Sequence, residues 1–486
     1  MLRHDNHVHR SALAELGQAL LLNAQMSFYR KVISMLASSE VDRLFHGLRS
    51  QRRAMRHTSA RERITRLERL RAELVARQED IGQAIHTDLG RPAEDRFEVE
   101  MLFKNIDTAR EELAGWMKPQ PIEKSVSAPA ERVFVTYEPR GVVLLFSTWN
   151  FPLSLFFSPL IQAVSAGNVV LAKPNTSAPA VGDVIEKIIH AVFDEREVAI
   201  VNAEEVTTPD GVRDANDVLL DLPVDHIFLT GSPRVGKIVV EKAAQHLSSF
   251  TLELGGKNPA IIDQTADLGS VADMFVPGKV FNQGQNCLAV DYAWVPQAHR
   301  DELVEKFAAA VKKNYYSDDR FQWERDARFV NRRNFDRVKS YLDEAVAGGA
   351  KVAFGGGSDP ENLVIEPTVL IDVPADAKIL HEEIFGPILP VLTYTDEEQV
   401  FDHVEAAGKP LAVSIYSRDQ AFIDRVLENT VSGGVSINAS NQHWFEDNLP
   451  FGGVNMSGYG AYHGIWGFRE LSHARAVFHM PAEPQQ

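Results

Sequence analysis

The chain has 486 residues, 44% hydrophobic and 24% charged, with a formal net charge of −17 and a single cysteine. That length calls for two or three cores, and the acidic balance excludes a phosphate-backbone partner such as nucleic acid. One cysteine excludes both a disulfide framework and a Cys-rich zinc site and suits a reducing compartment, so small-molecule chemistry in the cytoplasm is expected.

In chain order, Leu13, Leu16 and Leu20 recur at helical spacing, which makes residues 1–40 an N-terminal helical extension. Leu20-Leu21-Leu22 is too short for a secretory h-region, and a start at Met26 or Met35 is the competing reading. No apolar run reaches the ~18 residues of a membrane span, so no membrane anchor is expected. The arginines crowded into residues 43–77 are interleaved with acids and read as a solvated helix face. Ser59-Ala60-Arg61-Glu62 is a capping box, followed by the apolar stripe Ile64, Leu67, Leu70, Leu74 of a helix running towards Arg77. A second stripe, Ile81 and Ile85, stops at Gly90-Arg91-Pro92.

Residues 119–140 alternate as Val133, Val135, Tyr137 and predict a hairpin leaving the main body. From Gly141 short apolar runs at Val142–Phe146, Val169–Ala172, 199–202 and His226–Leu229 are separated by helical stretches, the pattern of βαβ units on a parallel sheet. The same alternation returns from Ala260, with strands expected at 292–295, 390–393 and Ala412–Tyr416. The fold class is therefore α/β, two such domains plus a hairpin.

The chemistry gathers around Phe281-Asn282-Gln283-Gly284-Gln285-Asn286-Cys287, which follows Glu253 by thirty-four residues. A lone cysteine is most often an inert apolar residue, and a reactive one needs a polar, partly exposed setting that lowers its pKa. The segment Phe228-Leu229-Thr230-Gly231-Ser232-Pro233-Arg234-Val235-Gly236-Lys237 reads as strand, glycine turn and helix, where backbone N–H groups can hold phosphates. It lacks the Ser or Thr after the lysine that a Walker A loop needs, having Ile238, and it departs from G-x-G-x-x-G, so a plain strand-to-helix turn stays open.

Seven strings together resemble the aldehyde dehydrogenase superfamily, in that family's order: Ser147-Thr148-Trp149-Asn150-Phe151-Pro152, Lys173-Pro174, Thr230-Gly231-Ser232, Glu253-Leu254-Gly255-Gly256-Lys257, Gly284-Gln285-Asn286-Cys287, Glu382-Glu383-Ile384-Phe385-Gly386-Pro387 and Pro450-Phe451-Gly452-Gly453. The resemblance spans about residues 40–480, and Gly458-Tyr459-Gly460-Ala461-Tyr462-His463-Gly464 is similar to the class 3 branch of fatty, aromatic and coniferyl aldehyde dehydrogenases. It implies a Rossmann-type cofactor domain (41–118 and 141–250), an α/β catalytic domain (251–443) and bridging or oligomerisation elements (119–140 and 444–486), the latter pairing across a homodimer. It also implies a reaction: a hydrophobic aldehyde is oxidised through a thiohemiacetal and thioester on Cys287. Asn150 and the Cys287 N–H would hold the oxyanion, and Glu253, its pKa raised between two leucines, would activate the hydrolytic water.

For the cofactor, NAD or NADP, the resemblance assigns Lys173 to the adenosine ribose, Gly231 and Ser232 to the pyrophosphate, Trp149 to the neighbouring wall, Glu383 to the nicotinamide ribose and Phe385 to the ring. Thr176 stands where NAD-preferring relatives often carry a glutamate that repels a 2′-phosphate, so NADP use is expected. Thr148 and Val290 replace prolines common in relatives. Plainer readings stay open beside these: Asn150 as a turn residue, Glu253 satisfied by glycine-turn amides, Lys173 on the surface, and Phe385 as core. Two other functions stay open as well, a cysteine hydrolase pairing Cys287 with His226, His381 or His463, and a non-catalytic relative. The apolar Phe151, Leu288, Trp444 and Phe445 admit either an aliphatic or an aromatic aldehyde.

Overall fold

The computed structural model describes residues 36–124, 132–318, 320–323 and 327–480. The N-terminal stripe of Leu13, Leu16 and Leu20 and the terminal Pro481–Gln486 segment lie outside them.

Four helices precede the first long sheet: α1 (Ser38–Arg56), α2 (Ala60–Ala76), α3 (Gln78–Leu89) and α4 (Phe97–Trp116). α2 begins at the expected capping box, with Glu62 Oε2 accepting the Ser59 N–H at 2.8 Å and Ser59 Oγ accepting the Glu62 N–H at 3.3 Å. Leu67, Leu70 and Leu74 bury the stripe. α3 stops at Gly90, whose φ of 77° is the left-handed cap that glycine takes without strain.

The first sheet contains β1 (Val142–Phe146), β2 (Val169–Lys173), β3 (Val198–Ile200), β4 (His226–Thr230) and β5 (Ser249–Glu253). Their spatial order is β5-β4-β1-β2-β3, all parallel, with Gly458–Tyr459 added antiparallel outside β5. β1 is buried throughout because both faces are covered: Val143 and Leu145 join one core, Val142, Leu144 and Phe146 another. α5 (Ser154–Ala166), α6 (Pro179–Val192) and α7 (Pro233–His246) connect these strands. Chain order reverses between β1 and β4, so the crevice at their carboxyl ends is the switch point where doubly wound sheets bind ligands.

The second sheet holds β6 (Pro259–Ile262), β7 (Tyr292–Pro296), β8 (Lys351–Phe354), β9 (Thr368–Ile371), β10 (Ile388–Tyr394), β11 (Ala412–Tyr416) and β12 (Gly434–Ile437). Its order is β8-β9-β10-β7-β6-β11-β12, parallel except for the β8–β9 pair. α8 (Leu268–Val280) packs on it and delivers the Cys287 loop.

Three details differ from the sequence reading. The strand expected at 199–202 is Val198–Ile200. Ser249–Glu253 is a full strand that its polar alternation concealed, and Glu205–Thr208 with Gly211–Asp214 form a hairpin on which Leu36–Ala37 adds a parallel strand, inside the expected 1–40 extension. The hairpin strand Arg132–Pro139 pairs with Gln120–Pro121 and, over its whole length, with Ser472–His479 of the same chain. That ladder joins two of the segments expected to serve as bridging or oligomerisation elements. Their hydrogen bonds are made within one chain, leaving the outer edge of Ser472–His479 unpaired among the described residues.

Replacing Ser59 with Ala removes one half of the capping box and is expected to destabilise α2 by about 1 kcal/mol, read as a lower thermal midpoint with activity retained.

Candidate active site

Strands β1, β2, β4 and β5 end in the residues singled out by motif: Trp149 and Asn150 follow β1, Lys173 ends β2, Gly231 and Ser232 follow β4, and Glu253 ends β5. One cavity of about 1650 Å³ is lined by all of these together with Thr176, Cys287, Glu383 and Phe385, drawing on both sheets. No described histidine lines it. His226 is buried between Ser249 and Thr251, His381 is exposed on the Ala375 carbonyl, and His463 is stacked on Phe451, so the three candidate partners for a Cys/His hydrolase lie elsewhere.

The nucleophile loop is held by a run of three left-handed residues, Asn282, Gln283 and Gly284, with φ of 56°, 55° and 66°. A side chain at Gly284 would meet the Gly386 backbone at 2.5 Å, so only glycine fits. The run turns Asn282 Nδ2 towards the Asn150 carbonyl (2.8 Å), while Asn150 Nδ2 donates to the Gln285 carbonyl (3.1 Å). Gln285 is buried and ties the loop further, accepting the Val330 N–H and donating to the Arg328 carbonyl. Asn258 Nδ2 donates to the Cys287 carbonyl at 2.7 Å. Asn150 is thus not simply a turn residue, because its side-chain amide is bonded to the loop that carries Cys287.

Electrostatics differ from the simple picture of an activated thiol. Burial, with Glu383 and Glu253 nearby, pushes the Cys287 thiol up to about 12, against the pull of the Cys287 and Leu288 N–H groups. The polar groups expected to lower it are only those two N–H groups, and they do not offset the burial. Glu253 is raised well above the ordinary carboxylate range by burial and then by Glu470. Neither of its oxygens has a hydrogen-bond partner among the described residues, which removes the reading of a carboxylate satisfied by glycine-turn amides. The Gly256 N–H goes instead to Glu383 Oε1 at 3.2 Å, and Gly255 lacks the Cβ that would strike this carboxylate. Burial, then Asp291, raises Glu383 to about 7. Asp291 is fixed by Lys257 (2.5 Å) and accepts the Ile384 N–H at 3.2 Å, so it anchors the loop that carries Glu383.

The remaining lining fits a dinucleotide. Lys173 is buried, not on the surface; burial lowers its pKa to about 8 while Asp214 and Glu204 act in the opposite direction, and its only side-chain hydrogen bond among the described residues is a long 3.4 Å approach to the Pro174 carbonyl. It is a cation short of a partner. Ser232 caps α7, so Gly231 and Ser232 sit at a helix start facing the cavity, and Thr176 is exposed at the rim. Trp149 and Phe385 meet edge to face, centroids 5.4 Å apart, leaving Phe385 half-buried and not core. Phe97 gathers Phe151 (5.9 Å), Phe281 (5.7 Å), Trp444 (6.3 Å) and Phe445 (6.3 Å) into an aromatic wall of the same cavity. Motif reading found Phe151, Trp444 and Phe445 but missed Phe97, Phe281, Asp214 and Asp291, whose partners are remote in sequence. The described residues contain no cluster able to hold a metal ion and no helix long and apolar enough to cross a membrane.

A profile of the aldehyde dehydrogenase family matches residues 30–477. The AldX protein of Bacillus subtilis (strain 168) is 40% identical over 448 residues, 91% of this chain and 98% of that protein. Aldehyde dehydrogenase family 3 member H1 of Arabidopsis thaliana is 35% identical over 86% of this chain and 85% of its own length. The structure of a substrate-bound state of AldH from Staphylococcus aureus superposes with a TM-score of 0.84 at 32% identity, covering 92% of this chain and 95% of that one. Solved neighbours at 25% and 26% identity are complexes with NADP and with NAD⁺.

Because Glu383 is the leading charged contribution to the raised Cys287 pKa, Glu383→Gln is expected to favour the thiolate and speed iodoacetamide alkylation of Cys287 several-fold at neutral pH, followed by mass spectrometry.

Proposed function

The chain belongs to the aldehyde dehydrogenase family and is an NAD(P)-dependent aldehyde dehydrogenase of its family 3-like branch, and on that premise we propose that it oxidises a hydrophobic aldehyde, aliphatic or aromatic, to the acid on Cys287. The observation that carries this reading is the convergence of Cys287, Asn150 and an unpartnered Glu253 in one cavity with an aromatic wall.

Cys287 first releases its thiol proton to solvent; the thiolate Sγ then attacks the carbonyl carbon, and the C=O pair moves onto oxygen, where the second Asn150 N–H and the Cys287 N–H hold the charge. Bound NAD(P) supplies the acceptor for the aldehyde hydrogen and its electron pair, leaving the acyl group on Cys287 as a thioester. Water then attacks the acyl carbon while Glu253 takes its proton; the C–S bond breaks, the acid leaves, and the thiolate returns. Desolvation suits Glu253 to that role, because a raised pKa strengthens the base.

In this reading Lys173 and Thr176 hold the adenosine ribose, Gly231 and Ser232 the pyrophosphate, and Glu383 the nicotinamide ribose, with Trp149 and Phe385 as walls. Thr176 offers a hydroxyl and no repelling charge to a 2′-phosphate, so NADP is accepted. The first sheet supports a cofactor domain at 41–118 and 141–250, the second a catalytic domain at 251–443, and the Arg132–Pro139 ladder the bridging role of 119–140 and 444–486. The unpaired edge of Ser472–His479 supports a homodimer, since exposed strand edges invite pairing; sedimentation as a monomer at micromolar concentration would count against it. The lone cysteine supports a cytoplasmic location.

Aliphatic and aromatic aldehydes assayed at 340 nm with each dinucleotide test the reading. Cys287→Ala is expected to abolish turnover, and Asn150→Ala to lower kcat roughly 10²- to 10³-fold. Glu253→Gln is expected to release one NAD(P)H per site and then stall as the thioester. Thr176→Glu is expected to cut kcat/KM with NADP far more than with NAD.

A further inference from the structure

A buried carboxylate needs its lone pairs occupied, and the partners it recruits show what it holds in place. Glu98, near the start of α4, is fully buried and accepts from Arg91 Nη1 at 2.6 Å on Oε1, and from the Leu153 and Ser154 N–H groups at 2.9 and 2.8 Å on Oε2. Leu153 and Ser154 open α5, two residues beyond the Asn150-Phe151 turn. The first amides of a helix have no intrahelical acceptor, and Leu153 at the cap position has no side chain to supply one. Glu98 therefore provides from another helix what a local Ser or Asp would, and its charge complements the helix dipole.

Arg91 extends the hold to the other side of the site. It also pairs with Asp95 and lies over the rings of Phe151 (5.6 Å) and Phe281 (5.1 Å). Phe281 precedes Asn282, the residue that donates to the Asn150 carbonyl. One buried ion pair thus touches the turn carrying Asn150 and the start of the loop carrying Cys287. A buried pair of this kind is a poor way to gain stability alone, because desolvation cancels much of its attraction. What it does supply is direction.

We infer that Arg91 and Glu98 are positioning residues for the oxyanion site, setting the Asn150 amide against the Cys287 loop. The inference rests on the reading of Asn150 as oxyanion donor. Glu98→Gln and Arg91→Lys are measured beside Asn150→Ala for aldehyde oxidation, for cleavage of p-nitrophenyl acetate, for NAD(P) dissociation constant and for iodoacetamide alkylation. Ester cleavage uses the same oxyanion donors without a dinucleotide, whereas alkylation by iodoacetamide forms no oxyanion.

The expected result is a roughly 10- to 100-fold fall in kcat for both oxidation and esterolysis in the two pair variants, the scale of a small misplacement of a reacting group, with nucleotide affinity and alkylation rate unchanged. Full activity in folded Glu98→Gln overturns the inference. So does a parallel loss of nucleotide binding and alkylation, which would assign the pair to general stability, as would failure of both variants to fold. If Asn150→Ala retains oxidation and esterolysis, the oxyanion reading itself fails; if it is impaired while the pair variants are not, only the present inference does.

Discussion

Everything at the candidate site depends on a short seam of amide hydrogen bonds. Asn282 Nδ2 donates to the Asn150 carbonyl, and Asn150 Nδ2 donates to the Gln285 carbonyl. The two partners lie in loops that belong to different sheets' connections, more than a hundred residues apart, so no local propensity brings them together. What does is backbone geometry: three successive left-handed residues aim Asn282 across the gap, and the carboxyl end of β1 presents Asn150 at the switch point of its sheet. Both amides are buried, where an unmet hydrogen bond is costly, so the seam closes in one arrangement.

Burial has a second consequence, in charge. Desolvation pushes Cys287, Glu253 and Glu383 towards their protonated forms and Lys173 towards its neutral one. The cavity lowers the charge of its own machinery in the absence of partners, as expected where water is largely excluded. In the proposed binding mode a dinucleotide sets its adenosine ribose on Lys173 and its cationic ring beside the thiol, so the same desolvation that silences the site alone makes each incoming charge count for more. Neither Glu253 oxygen has a hydrogen-bond partner among the described residues.

Much of this was legible in the chain. The capping box at Ser59 and Glu62 announced α2, Gly90 its neighbour's end, and the apolar run Val142–Phe146 a strand of a parallel sheet, because these signals are local. The motif residues also converged, since each follows a strand end and strand ends converge in a parallel sheet. Ser249–Glu253 was hidden by its alternating polar face, which packs on His226 and Glu470 through hydrogen bonds where an apolar face would have been recognised. The raised Cys287 pKa, the Asp291 anchor of Glu383 and the aromatic wall around Phe97 depend on neighbours distant in sequence, and spacing carries no trace of them. The intrachain ladder of Arg132–Pro139 with Ser472–His479 was invisible for the same reason.

That ladder, and the antiparallel strand Gly458–Tyr459 beside β5, set an order of assembly. Glu253 pairs in register with Gly458, so the strand that ends in Glu253 keeps an open edge until residues about two hundred positions later arrive. The eight residues of Arg132–Pro139 likewise wait for Ser472–His479. Contacts of such sequence separation form late, because the loop they close must be ordered first. During synthesis the emerging chain can fold its second sheet while the first still shows an unpaired edge, the kind of surface on which nascent chains aggregate and chaperones act. A chain truncated before residue 458 would carry Asn150, Glu253 and Cys287 yet lack the strand that closes the sheet beside Glu253.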